Sequence, residues 1–70
     1  MKITGYDDRG GFGYIYYQRK KGDEGRVGWT RSNGVFPCGD THSDLTAREV
    51  YALQIYAQEH CNVNGTKVAS

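Results

Sequence analysis

The stretch Phe12-Gly13-Tyr14-Ile15-Tyr16-Tyr17-Gln18-Arg19 decides the fold. It sits between Arg9-Gly10-Gly11 and Gly22-Asp23-Glu24-Gly25, two segments with turn chemistry, and so reads as a strand bounded by turns. Side chains on a strand alternate between its two faces. Ile15 and Tyr17 therefore share one face, and Phe12, Tyr14 and Tyr16 share the other.

Working outward, Lys2–Tyr6 reads as a strand before the first turn, and Arg26–Arg31 as one after the second. In the latter, Val27 and Trp29 share a face opposite Arg26, Gly28 and Thr30. Asn33-Gly34 is a strong hairpin signal, because tight hairpin turns need positive φ, and it precedes Val35-Phe36. Pro37 cannot donate to a ladder, so this last strand is short and at an edge. Placing the branched and largest residues together gives an expected core face of Ile3, Ile15, Tyr17, Val27 and Trp29. The opposite face then carries Tyr6, Phe12, Tyr14 and Tyr16. A slip of one residue would exchange the two sets.

A helix follows the strands. Thr46 and Glu49 have the spacing of a capping box, and Leu45 and Val50 that of a hydrophobic staple. The helix is expected from Ala47 to His60 or Cys61, with stop residues in Asn62-Val63-Asn64-Gly65. At about 100° per residue, Val50, Leu53, Tyr56, Ala57 and Cys61 fall on one side, and Tyr51 and Ile55 on the other. The expected fold is α+β: an antiparallel meander of three to four strands packed by one C-terminal helix. A single domain over 1–65 and a frayed tail over 66–70 complete it.

Seventy residues allow one small domain, whose core supplies only about 3–5 kcal/mol. The apolar fraction is 37% but aromatics reach 13%, which separates the chain from disordered sequences. Net charge is +1, with a balance of +3 over residues 1–36 and −2 over residues 37–70. That falls well short of the dense basic stripe a phosphate backbone demands. No apolar run marks a secretory signal or a membrane span, so a cytoplasmic protein with reduced Cys38 and Cys61 is expected.

Gly11-Phe12-Gly13-Tyr14-Ile15-Tyr16-Tyr17 resembles the aromatic signature strand of RNA-recognition motifs and, more loosely, of cold-shock domains. That resemblance implies base stacking on alternate aromatics. It covers seven residues and departs from the pattern in three ways, one being that no second aromatic motif of the cold-shock kind follows. Arg9 is displaced by one position, and eleven residues before Phe12 leave no room for the preceding strand and helix. The sheet-plus-helix layout is also similar to the small DNA-binding domains of phage integrases and of the plant AP2 type. By that likeness Arg9, Tyr14, Tyr16, Gln18, Arg26 and Thr30 would read bases, with Arg19, Lys20 and Lys21 near phosphates. Leu45-Thr46-Ala47-Arg48-Glu49-Val50 resembles the start of a LuxR-type helix-turn-helix, but no recognition helix follows, so it is read as capping chemistry.

Two functions from different classes are expected. The first is a non-enzymatic protein-interaction module, of the adaptor or inhibitor kind that phages and mobile elements encode. It would bind a protein partner or a second copy through Tyr14, Tyr16, Arg19, Tyr51 and Ile55, since tyrosine and arginine anchor protein interfaces. The alternative is nucleic-acid binding through Arg9, Phe12, Tyr14, Tyr16, Lys20, Lys21 and Arg26. No nucleophile–base pair, phosphate loop or cofactor motif is evident. Cys38, His42, His60 and Cys61 lack the paired spacings of a zinc site, and adjacent His60 and Cys61 diverge on a helix, so no metal is expected. A Cys38–Cys61 disulfide is disfavoured by compartment.

Overall fold

Turns built on glycine define the strands. Asp8 Oδ1 accepts the backbone N–H groups of Gly10 and Gly11 at 3.0 and 2.9 Å. Both glycines have φ above +100°, a region where a side chain would be strained. In the computed structural model, which describes residues 1–61 and 63, this turn joins β1 (Lys2–Tyr6) to β2 (Phe12–Lys20). β3 (Asp23–Thr30), β4 (Gly34–Phe36) and α1 (Ala47–His60) follow. The four strands form one antiparallel sheet in the order β1-β2-β3-β4, and the helix covers one face: a ββββα fold of the α+β class. The expected 66–70 tail and the stop residues Asn62, Asn64 and Gly65 lie outside the described residues.

The core face follows the alternation of the central strands. Ile15, Tyr17, Val27 and Trp29 are buried against Leu53, Ala57, Cys61 and Val63, with Ile3, Val35, Leu45 and Tyr56 packed at the margin. The helix starts where the capping box places it: Glu49 N–H donates to Thr46 Oγ1 at 3.1 Å, and Thr46 N–H to Glu49 Oε1 at 2.9 Å.

Three details differ from the sequence reading. The β2–β3 turn is only Lys21-Gly22, so Asp23, Glu24 and Gly25 belong to β3; Gly22 alone supplies the positive φ. Tyr6 faces the helix, not the open side. β1 is bulged, with Ile3 opposite Tyr17 but Gly5 opposite Tyr16, so the extra residue Thr4 turns both Ile3 and Tyr6 inward. Tyr6 meets the ring of Tyr56 at 5.8 Å. Val50, placed by periodicity over the sheet, is 38% exposed at the rim, because Leu53 and Ala57 hold the helix line of contact.

Candidate interaction face

The helix leaves the second face of the sheet uncovered. Phe12, Tyr14, Tyr16 and Gln18 of β2 point there, beside Thr30, Gly28, Arg26 and Glu24, their direct partners on β3. Phe36 joins them from β4, opposite Gly28, and Lys2 from β1, opposite Gln18. Phe12 and Phe36 are 50% and 42% exposed, a high value for rings.

Gly28 shapes the centre. A Cβ there would lie 2.5 Å from the Phe36 ring, so only glycine lets that ring lie flat on β3. Between Phe12, Tyr14, Thr30 and Phe36 runs a shallow, mainly apolar trough of about 270 Å³. Arg26 carries its guanidinium 4.3 Å from the Tyr14 ring centroid, and Arg9 lies at 5.8 Å. Tyr14 and Tyr16 are 6.5 Å apart, tilted by 42°.

The charges on this face are matched locally. Arg26 Nε lies 2.7 Å from Asp40 Oδ2, and Arg9 Nε 3.2 Å from Asp7 Oδ2. Asp40 is brought there by the chain after β4, which runs on beside β3. Its carbonyl accepts Arg26 N–H at 3.4 Å, and Thr41 Oγ1 donates to Arg26 O at 2.6 Å. Asp40 and Phe36 belong to the face although neither was among the expected site residues. The signal for Phe36 was its alternation with Val35 in a strand paired with β3; Asp40 had none, since its partner is fourteen residues away.

The expected interface residues separate. Tyr14 and Tyr16 lie on the open face. Arg19 lies on the helix side, where Nη1 meets Asp44 Oδ1 at 2.6 Å and Nε meets Glu49 Oε2 at 3.4 Å. This contact holds the Asp44 carboxyl below its usual range, chiefly through the Arg19 hydrogen bond. Tyr51 is 62% exposed on the helix and Ile55 is half-buried. Of the nucleic-acid set, Arg9, Phe12, Tyr14, Tyr16 and Arg26 converge on the open face. Lys20 borders a polar cleft with Arg19, Asp23, Asp44 and Glu49, and Lys21 is at the hairpin tip.

The four residues weighed as metal ligands lie in different settings. Cys61 is buried in the core, its thiol pushed up to about 11 mainly by desolvation. His60 stacks near Tyr56 at 4.2 Å. Both ring nitrogens of His42 are engaged, by Tyr17 and Asp23. Cys38 is half-buried, and both cysteines are free thiols. Among the described residues no three His, Cys, Asp or Glu side chains gather as a metal site, and no helix is long and apolar enough to cross a membrane.

A second apolar groove, of about 340 Å³, opens at the β4 edge between Val35, Phe36, Pro37, Leu45, Val50 and Leu53. No family model, curated protein or solved structure matches this chain.

Proposed function

We propose that this chain is a non-enzymatic protein-interaction module, a small adaptor or inhibitor acting in the cytoplasm, that binds its partner through the open face of the sheet. The observation that carries this reading is the exposure of Phe12 and Phe36 around the Tyr14 ring on a face that the helix does not cover. Large apolar side chains rimmed by polar groups are the anchors of protein interfaces. The charge pattern favours a protein over a phosphate backbone: Lys2, Arg9 and Arg26 are offset there by Asp7, Glu24 and Asp40. A surface with so little free charge has few counterions to release.

Nucleic-acid binding is the second reading, favoured by the single line of Phe12, Tyr14 and Tyr16 along β2. Affinity capture from cell lysate, with and without nuclease, tests both. The protein reading expects a protein retained after nuclease treatment by the native chain and by Tyr51→Ala, and lost with Tyr14→Ala. Retention abolished by nuclease would transfer the function to the second reading. Capture indifferent to Tyr14→Ala would overturn the use of this face.

A further inference from the structure

We infer that the partner of the open face is a second copy of this chain, packed sheet to sheet about a two-fold axis that runs between β2 and β3, parallel to the strands. This rests on the interaction-face reading above and adds the identity of the partner. The argument is in the distribution of side chains over the two central strands. On this face β2 carries the large rings Phe12, Tyr14 and Tyr16, whereas β3 carries Thr30, Gly28 and Arg26 directly opposite them.

A two-fold axis in that position exchanges β2 with β3, so each large residue of one copy meets the small or complementary residue that is its own cross-strand partner's equivalent. Phe12 then lies over Thr30 of the second copy. Tyr14 lies over Gly28 of the second copy, where the exposed Phe36 ring offers an aromatic surface. Tyr16 lies over Arg26 of the second copy, a guanidinium already 4.3 Å from the Tyr14 ring centroid within its own chain. At the polar end, Gln18 meets Glu24 of the second copy as donor to acceptor. Lys2, on the outer strand beside Gln18, comes over the β4 side, where Asp40 sits. Any contact i to j is repeated as j to i, as a two-fold interface requires. An axis perpendicular to the strands would instead set Phe12 against Gln18.

The orientation keeps the strands of the two sheets aligned, the usual arrangement of stacked sheets about 10 Å apart. Strands of 5, 9, 8 and 3 residues set about 4.8 Å apart give a face on the order of 400 Å² per copy. Two such faces, about 800 Å² together, lie in the range of weak, transient contacts, so the dimer is expected to be weak, with a dissociation constant of micromolar order or higher.

Sedimentation equilibrium on the whole chain, from about 1 μM to about 1 mM, tests this. The mass is expected to rise with concentration from 7.9 kDa towards twice that value. Gln18→Glu sets a carboxylate against Glu24 of the other copy at both symmetric contacts and should weaken association by about tenfold or more. Mixing the Gln18→Glu and Glu24→Gln proteins restores one carboxylate per pair and should give a heterodimer that neither intramolecular effect can produce. Circular dichroism of each variant confirms that it is folded. A constant 7.9 kDa mass would overturn the second-copy assignment, as would self-association unchanged by Gln18→Glu and Tyr14→Ala. A monomer that captures another protein in a Tyr14-dependent way would leave the interaction-face reading standing while removing this one. A monomer with no such capture would remove both.

Discussion

The phenol oxygen of Tyr17 lies 2.8 Å from His42 Nδ1 and accepts the backbone N–H of the same histidine at 3.0 Å. His42 Nε2 in turn meets Asp23 Oδ1 at 2.6 Å. With the ring proton assigned to Nε2, every group in this relay is satisfied: Tyr17 accepts the His42 N–H and donates to Nδ1, and Nε2–H donates to the carboxylate. The loop after β4 is thereby tied to the β2–β3 hairpin by a tyrosine that is 1% exposed.

Tyr17→Phe removes both contacts and leaves a partly buried N–H and a ring nitrogen unsatisfied. The expected cost is about 1–3 kcal/mol, read as a lower midpoint in urea unfolding with an unchanged slope. An unchanged midpoint would mean that the bridge contributes nothing to the fold.

Two glycines should respond in opposite ways to one methyl group. At Gly13 a Cβ would overlap the carbonyl oxygen of Asp7, which also accepts Trp29 Nε1–H at 3.0 Å. Gly13→Ala must therefore displace that loop, at a cost of about 1–3 kcal/mol or more and with a change in Trp29 fluorescence. At Gly5 nothing lies within 4 Å, and Gly5→Ala should stay within about 0.5 kcal/mol of the native protein. Equal effects at both sites would contradict the close approach at Gly13.

Acid should loosen both ends of the molecule. Backbone N–H groups of Gly11 and Gly10 hold the Asp8 carboxyl below its usual range, and the Thr46 N–H does the same for Glu49. Asp44 is lowered first by its hydrogen bond to Arg19. A carboxyl with a depressed folded-state pKa contributes stability above its unfolded value of about 4, and loses it as pH falls through the lower folded value. Unfolding midpoints should therefore be flat near neutrality and decline only as pH falls below about 4. In Arg19→Met, a carboxyl-resolved NMR titration should show Asp44 moving upward while Asp8 stays in place. A joint shift of both would argue against separate local causes.

The two thiols should label in sequence. Cys61 is 1% exposed and its thiol is raised to about 11, so little reactive thiolate is available in the folded state. Cys38 is only half-buried, donating weakly to Arg26 O at 3.5 Å. Mass-spectrometric mapping of iodoacetamide adducts should find Cys38 modified at least roughly tenfold faster, with Cys61 matching it only in denaturant. Equal rates in the folded protein would contradict the burial of Cys61.

Much of the fold was legible because its signals are local. The Thr46–Glu49 box sets the start of α1 within a single turn, and Gly10, Gly11 and Gly22 set turns through their own backbone freedom. The faces of β2 and β3 followed from alternation, since one bulge places its extra residue in β1 and the other lies beyond Gln18, so Phe12 to Gln18 stay in step. Less of the interaction face was readable. Phe12, Tyr14, Tyr16, Arg9 and Arg26 lie together on the open face, whereas Arg19, named because arginines anchor interfaces, follows the alternation of Ile15 and Tyr17 to the helix side.

The sequence by itself determined the strand order, the helix and the two faces of the central strands, because each depends on residues a few positions apart. Tertiary structure decided the rest. Tyr6 turns inward because a bulge in β1 is tolerated when Tyr56 of the helix receives the ring. Arg19 is paired on the helix side with Asp44 and Glu49, twenty-five and thirty residues later in the chain. Arg26 loses its free charge to Asp40 only when the chain after Pro37 doubles back along β3. Alternation can say which side of a strand a residue takes, but not which distant group will neutralise it there, because that depends on how the loop after Pro37 and the start of α1 settle against the sheet.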